Sequence, residues 1–177
     1  MPRDFIAAVQ FHIARASVMP SALRGAGSAG TAECARKFLG SLPLKPFGVS
    51  SAQLFRGRLD AATDALLSAL PPKAKKWGRT RKILNILLRN ALYSTHLSKR
   101  FSLDQATSLL EVPLDGLTAK ELTRRYSLPK WPGVAALTPA VSEEFQDAAE
   151  EEGKKRHIAR VHLDVYWWGR RHSEDEK

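Results

Sequence analysis

At 177 residues the chain is long enough for one compact domain with a true core and too short for two of ordinary size. Hydrophobic residues make up 44% and charged residues 26%, which excludes a disordered chain, and no window approaches the ~18 consecutive apolar residues of a membrane span. The net charge of +10 and the isoelectric point near 10.0 attract polyanions, nucleic acid first, although a basic surface kept for solubility gives the same numbers.

The single cysteine, Cys34, excludes an intrachain disulfide and a cysteine-built metal site. Asp4, Gln10 and His12 interrupt the apolar positions near the N-terminus, so the segment lacks the apolar core of a signal peptide, and a cytoplasmic setting is the default expectation. His12, His157 and His172 have no companions at metal-ligand spacing, so neither a metal nor another cofactor is expected.

In chain order, Phe5, Ile6, Val9, Ile13 and Val18 recur at three- and four-residue steps and predict a helix over 4–17. Met19-Pro20 ends it. Gly25, Gly27 and Gly30 make a flexible connection, which matches no phosphate-cradling fingerprint, and Thr31 caps a second helix over 31–42. After a proline-punctuated turn, Ser50 or Ser51 caps a third helix, reaching Leu70 and carrying Leu54, Leu59, Ala62, Leu66 and Leu67 at helical period.

The segment 71–78 leads into a central helix over 79–97, apolar on most sides and therefore surrounded by others. A short helix over 103–110 follows. Asp115 stands at the N-cap of a helix over 116–126, and Thr138-Pro139 opens another, 140–152. Residues 161–168 alternate as a strand would, but no second segment could pair with one, so 157–171 is read as a mostly buried helix. The expected architecture is all-α, a single compact multi-helix domain over 1–172, with a frayed tail over 173–177.

Two residues could carry chemistry. A lysine is a nucleophile only in its neutral form, which desolvation or neighbouring cations favour; Lys82 has Arg79 and Arg81 within one turn and the apolar run 83–88 behind it. It could equally snorkel to solvent or meet a phosphate. Asp115 at an N-cap satisfies backbone amides, and those amides stabilise a fixed negative charge suited to a transition state with positive charge on a sugar.

Lys82 at a helix start, Pro113-Leu114-Asp115 opening another helix, and the terminal run from His162 to Trp168 together resemble the helix-hairpin-helix DNA glycosylase superfamily. The long gap between lysine and aspartate is most similar to the archaeal 8-oxoguanine glycosylase branch. The resemblance covers about residues 77–171. It implies an all-helical fold, double-stranded DNA with a modified base as the partner, a flipped-out nucleotide, and a monomer. It also implies that Lys82 attacks the sugar C1′ to form a Schiff base that can go on to nick the strand. Asp115 would activate Lys82, while Asp164 and Trp168 would hydrogen-bond and stack on the extruded base.

The usual hairpin, Leu-Pro followed by Gly-hydrophobic-Gly, is here Leu70-Pro71-Pro72 with only Gly78, so Lys73, Lys75 and Lys76 are expected to replace loop amides at the phosphates. Arg79, Arg81, Arg89, Lys120 and Arg124 extend that DNA-binding set. No residue matches the glutamine that the 8-oxoguanine branch sets against its base, and Gln10 is the candidate stand-in. The base that the resemblance implies is therefore left open, as an oxidised purine or a hypermodified base, phage DNA included.

Two other readings compete. Arg89 and His96, seven residues and about two turns apart, resemble the active-site motif of helical HEPN ribonucleases. A non-catalytic basic module would use Arg79, Arg81, Arg89, Lys99, Arg100, Lys120, Arg124 and Arg125 as a phosphate-binding patch.

Overall fold

A computed structural model describes residues 3–19 and 30–175 of the chain, and among them there is no strand. Gly25 and Gly27 of the expected connection lie outside the described residues, as do 176–177. Eight α-helices are described: α1 (Arg3–Ser17), α2 (Thr31–Ser41), α3 (Ala52–Ala69), α4 (Trp77–Tyr93), α5 (Thr95–Phe101), α6 (Gly116–Thr123), α7 (Pro139–Lys155) and α8 (Leu163–Asp175). None is long and apolar enough to cross a membrane.

Side-chain caps start several helices where the sequence predicts them. Ser51 accepts from the Leu54 amide, Thr138 from Val141, and Asp115 from both Leu117 and Thr118. Thr31 does not cap α2; that position falls on Gly30, whose φ of 79° only glycine adopts without strain.

Several expected boundaries move, among them the end of α6, at Thr123 rather than 126. The central helix stops at Tyr93, because Ser94 turns extended and its hydroxyl accepts from the Leu97 amide to start α5. The segment 103–110 forms a 3₁₀ turn over Leu103–Ala106 rather than an α-helix. The last helix begins at Leu163, not 157, since His157 takes a left-handed φ of 57° and closes the end of α7; it then continues as helix to Asp175 through the first residues of the expected tail.

Two hydrophobic cores result. One joins α1 to α5 around Leu39, Leu59, Leu66, Leu84 and Leu87; the other joins α6, α7 and α8 around Leu122, Phe145, Ala149, Leu163 and Trp167. Trp167 thus serves packing. Helix α4 touches both sides, and Gly78 makes this possible: a Cβ there would lie 2.3 Å from the Val134 carbonyl oxygen.

Candidate active site

A cavity of about 430 Å³ opens between elements of the two cores. Helix α4 lines it with Lys82, Ile86, Arg89 and Asn90, the segment before α6 with Pro113 and Asp115, and α8 with Asp164, Val165, Trp168 and Gly169. Ala16, Ser17 and Met19, from the end of α1 and just beyond, complete the wall.

Lys82 comes to this wall because its neighbour Arg81 is turned the other way. The Arg81 guanidinium is 3% exposed and donates to both oxygens of Glu111, at 2.8 and 2.7 Å, to Asp60 at 2.7 Å and to Thr63 at 3.0 Å. Burial alone would push the Glu111 carboxyl up, but the hydrogen bonds and charge of Arg81 reverse this and hold it below the usual carboxylate range.

The same pair fixes the chain on its way to Asp115. Residues 107–115 form no helix, so their backbone groups need other partners. Gln146 supplies two, accepting from the Val112 amide and donating to its carbonyl, and Arg160 donates to the Leu109 and Leu110 carbonyls.

Asp115 divides its oxygens. Oδ1 accepts from the amides of Leu117 at 3.0 Å and Thr118 at 2.9 Å, while Oδ2 lies 3.5 Å from Lys82 Nζ. Both side chains are mostly buried yet reach the cavity.

On α8, Asp164 accepts from its neighbour's amide, Val165, and from Arg89 Nη1. Burial pushes its carboxyl up to about 6, opposed by Arg89 and the Val165 amide and reinforced by the negative charge of Asp115. Arg89 is held in turn by Asn90 Oδ1, which accepts from Nε and Nη2, and Asn90 donates to Ser17 on α1. Trp168 remains 43% exposed beside them.

Lys82, Asp115, Asp164 and Trp168 therefore line one cavity, and Arg89 joins them. Gln10 does not; its amide donates to the Leu39 and Leu42 carbonyls and ties α1 to the end of α2, so it has no donor left for a base in the cavity. Arg81 is no DNA contact, being spent inside the protein. Lys73, Lys75 and Lys76 are exposed on the connection between α3 and α4, Arg79 is half-buried in the first turn of α4, Lys120 is exposed on α6, and Arg124 is exposed just past the end of α6, where it pairs with Glu121 at 3.4 Å.

The predicted common face of Arg89 and His96 does not form, since the helix breaks between them. His96 packs edge-on against Phe5 with ring centroids 5.1 Å apart and does not line the cavity. Sequence reasoning missed Ser17, Met19, Ile86 and Val165 as wall residues; nothing local marks them. Asn90 adjoins Arg89, and a polar residue beside an arginine on a mostly apolar helix was its one signal.

Comparison with protein-family models, with curated proteins and with solved structures finds no match for this chain.

Proposed function

We propose that the protein is a DNA glycosylase of helix-hairpin-helix type that extrudes a modified base, an oxidised purine or a hypermodified one, and excises it with Lys82 as nucleophile and Asp115 as its essential carboxylate. The observation that carries this reading is the divided Asp115. One oxygen is anchored by two amides, so the other faces Lys82 in a fixed direction and can take a proton from its ammonium without losing position.

The cavity volume falls within the roughly 300–1,000 Å³ of small-molecule sites. An extruded base in it would meet Trp168 as a stacking face and Asp164 with Arg89 as a coupled acceptor and donor. Neutral Lys82 attacks C1′, the glycosidic bond breaks, and the base leaves with the bonding electrons and takes up a proton. Asp115 passes the lysine proton on to the departing base and, ionised again, stabilises the positive charge that develops on the sugar. In this reading α3, the connection 70–76 with its three exposed lysines, and α4 would do the work of the two helices and the hairpin that hold the DNA backbone in such enzymes.

Base release from duplex DNA carrying a panel of oxidised and hypermodified bases tests the reading. Release that falls by about 10²–10³ in Asp115→Asn is the expected result, on the scale of losing one charge-stabilising group. Release unaffected by that substitution, or none from any substrate, contradicts it.

A further inference from the structure

A second concavity, of about 440 Å³, lies away from the first, among the 3₁₀ turn Lys45–Phe47, α3 and the end of α5. Its polar wall is Lys45, Arg58 and Arg100, and no acid lines it. Several other arginines of the fold do meet acids. Arg81 meets Glu111 and Asp60, Arg89 meets Asp164, Arg160 meets Glu150, and Arg125 meets Glu121 and Glu152. Among the described residues neither Lys45 nor Arg100 carries an ion pair, and Arg58 donates to the Pro46 carbonyl, which aims it without neutralising it.

The pocket is built rather than incidental. Gly48 sits so close to α5 that a Cβ would lie 1.9 Å from the Phe101 carbonyl oxygen, which pins the turn against that helix. Ser102, on the pocket wall, holds a left-handed φ of 55°, a strained conformation for a residue with a side chain. Three like charges converging on one concavity repel one another unless an anion joins them. The C-terminus of α5 contributes at most about half a negative charge, too little to balance three cations.

We infer that this pocket is a second nucleic-acid contact, which seats a phosphodiester group of DNA against Lys45, Arg58 and Arg100 with the adjoining sugar or base on Pro46, Val49 and Phe101. The apolar side of the pocket favours a nucleotide unit over a bare inorganic anion, since a base or sugar covers apolar surface that phosphate alone leaves wet. The inference rests on the reading that the protein binds DNA, but not on its cleaving a glycosidic bond.

The test is fluorescence anisotropy with a labelled 20-base-pair duplex over a series of salt concentrations. Three proteins are compared: wild type, Lys45→Ala/Arg100→Ala, and a control, Lys154→Ala/Lys155→Ala, which removes the same charge from residues paired with Glu150 and Glu151 on α7. All four side chains are exposed, so melting curves should show each variant folded. Each lost phosphate contact lowers the slope of log K against log salt by about 0.9, so the pocket variant is expected to lose up to ~2 in slope and on the order of tenfold or more in affinity, with the control unchanged. Equal losses in both variants would assign the effect to net charge and overturn the inference, as would an unchanged slope in the pocket variant. Base release at saturating DNA separates the two readings: its absence in wild type removes the glycosylase while the slope difference still stands or falls by itself.

Discussion

Arg81 and Glu111 are joined by two hydrogen bonds of 2.8 and 2.7 Å in the interior, thirty residues apart in sequence. This contact turns Lys82, the next residue, toward the cavity and anchors the chain four positions ahead of Asp115. Removing one partner strands the other's charge. Arg81→Leu is therefore expected to cost about 3–5 kcal/mol in urea unfolding, and Arg81→Leu/Glu111→Leu to recover most of it. A single variant that loses under 1 kcal/mol would show that Glu111 is not held by Arg81.

Gly78 is the second structural lever. Alanine there would set Cβ 2.3 Å from the Val134 oxygen and 2.6 Å from Leu137 Cβ, and a backbone carbonyl cannot swing aside as a side-chain tip can. Gly78→Ala should destabilise by roughly 1–3 kcal/mol, a fall in Tm of about 2–4 °C per kcal/mol for a chain of this size. An unchanged melting temperature would mean that residues 134–137 lie further from α4.

Asp164 gives the stability a pH signature. Unfolded, it ionises near 3.8; folded, it keeps its proton to about 6. Between these values the folded state binds the extra proton, so this residue's contribution favours folding on the acid side and is lost as pH rises from about 4 to 6, by on the order of 3 kcal/mol at most. Glu111 has the opposite sign, since its carboxyl is depressed, and acts below its ordinary value of 4.5. Urea unfolding of wild type and Asp164→Asn across pH 4–7 checks this: the difference between the two should change through that window, and a flat difference contradicts it.

In the proposed reading Lys73, Lys75 and Lys76 grip the DNA backbone. Their combined replacement by alanine should make duplex binding less salt-dependent by roughly one in slope for each lysine that meets a phosphate. It should leave melting nearly unchanged, since all three are exposed. An unaltered salt slope would move the DNA to another face.

Much of the fold was legible because local rules carried it. Apolar residues at helical period, with Ser51, Asp115 and Thr138 as caps, mark helices that form at nearly those positions. Where distant groups decide, the sequence misled. Arg81 and Lys82 read alike as basic residues at a helix start, and only Glu111, Asp60 and Thr63 determine which turns inward. Gln10 looked free to meet a ligand until Leu39 and Leu42, 29 and 32 residues away, took its amide. The stretch from Arg89 to His96 kept a helical pattern across Ser94, whose short side chain can cap the next helix as readily as it can continue the first. The pairing of Arg89 with Asp164 spans 75 residues and left no mark in either segment.

In the proposed reaction the Lys82 amine becomes covalently joined to the sugar. Borohydride trapping on duplex DNA carrying the excised base tests it most directly, because reduction fixes a Schiff base as a stable protein–DNA adduct. An adduct is expected with the wild-type protein, none with Lys82→Gln, and a reduced yield with Asp115→Asn. An adduct that persists in Lys82→Gln, or base release by Lys82→Gln at the wild-type rate, would contradict it.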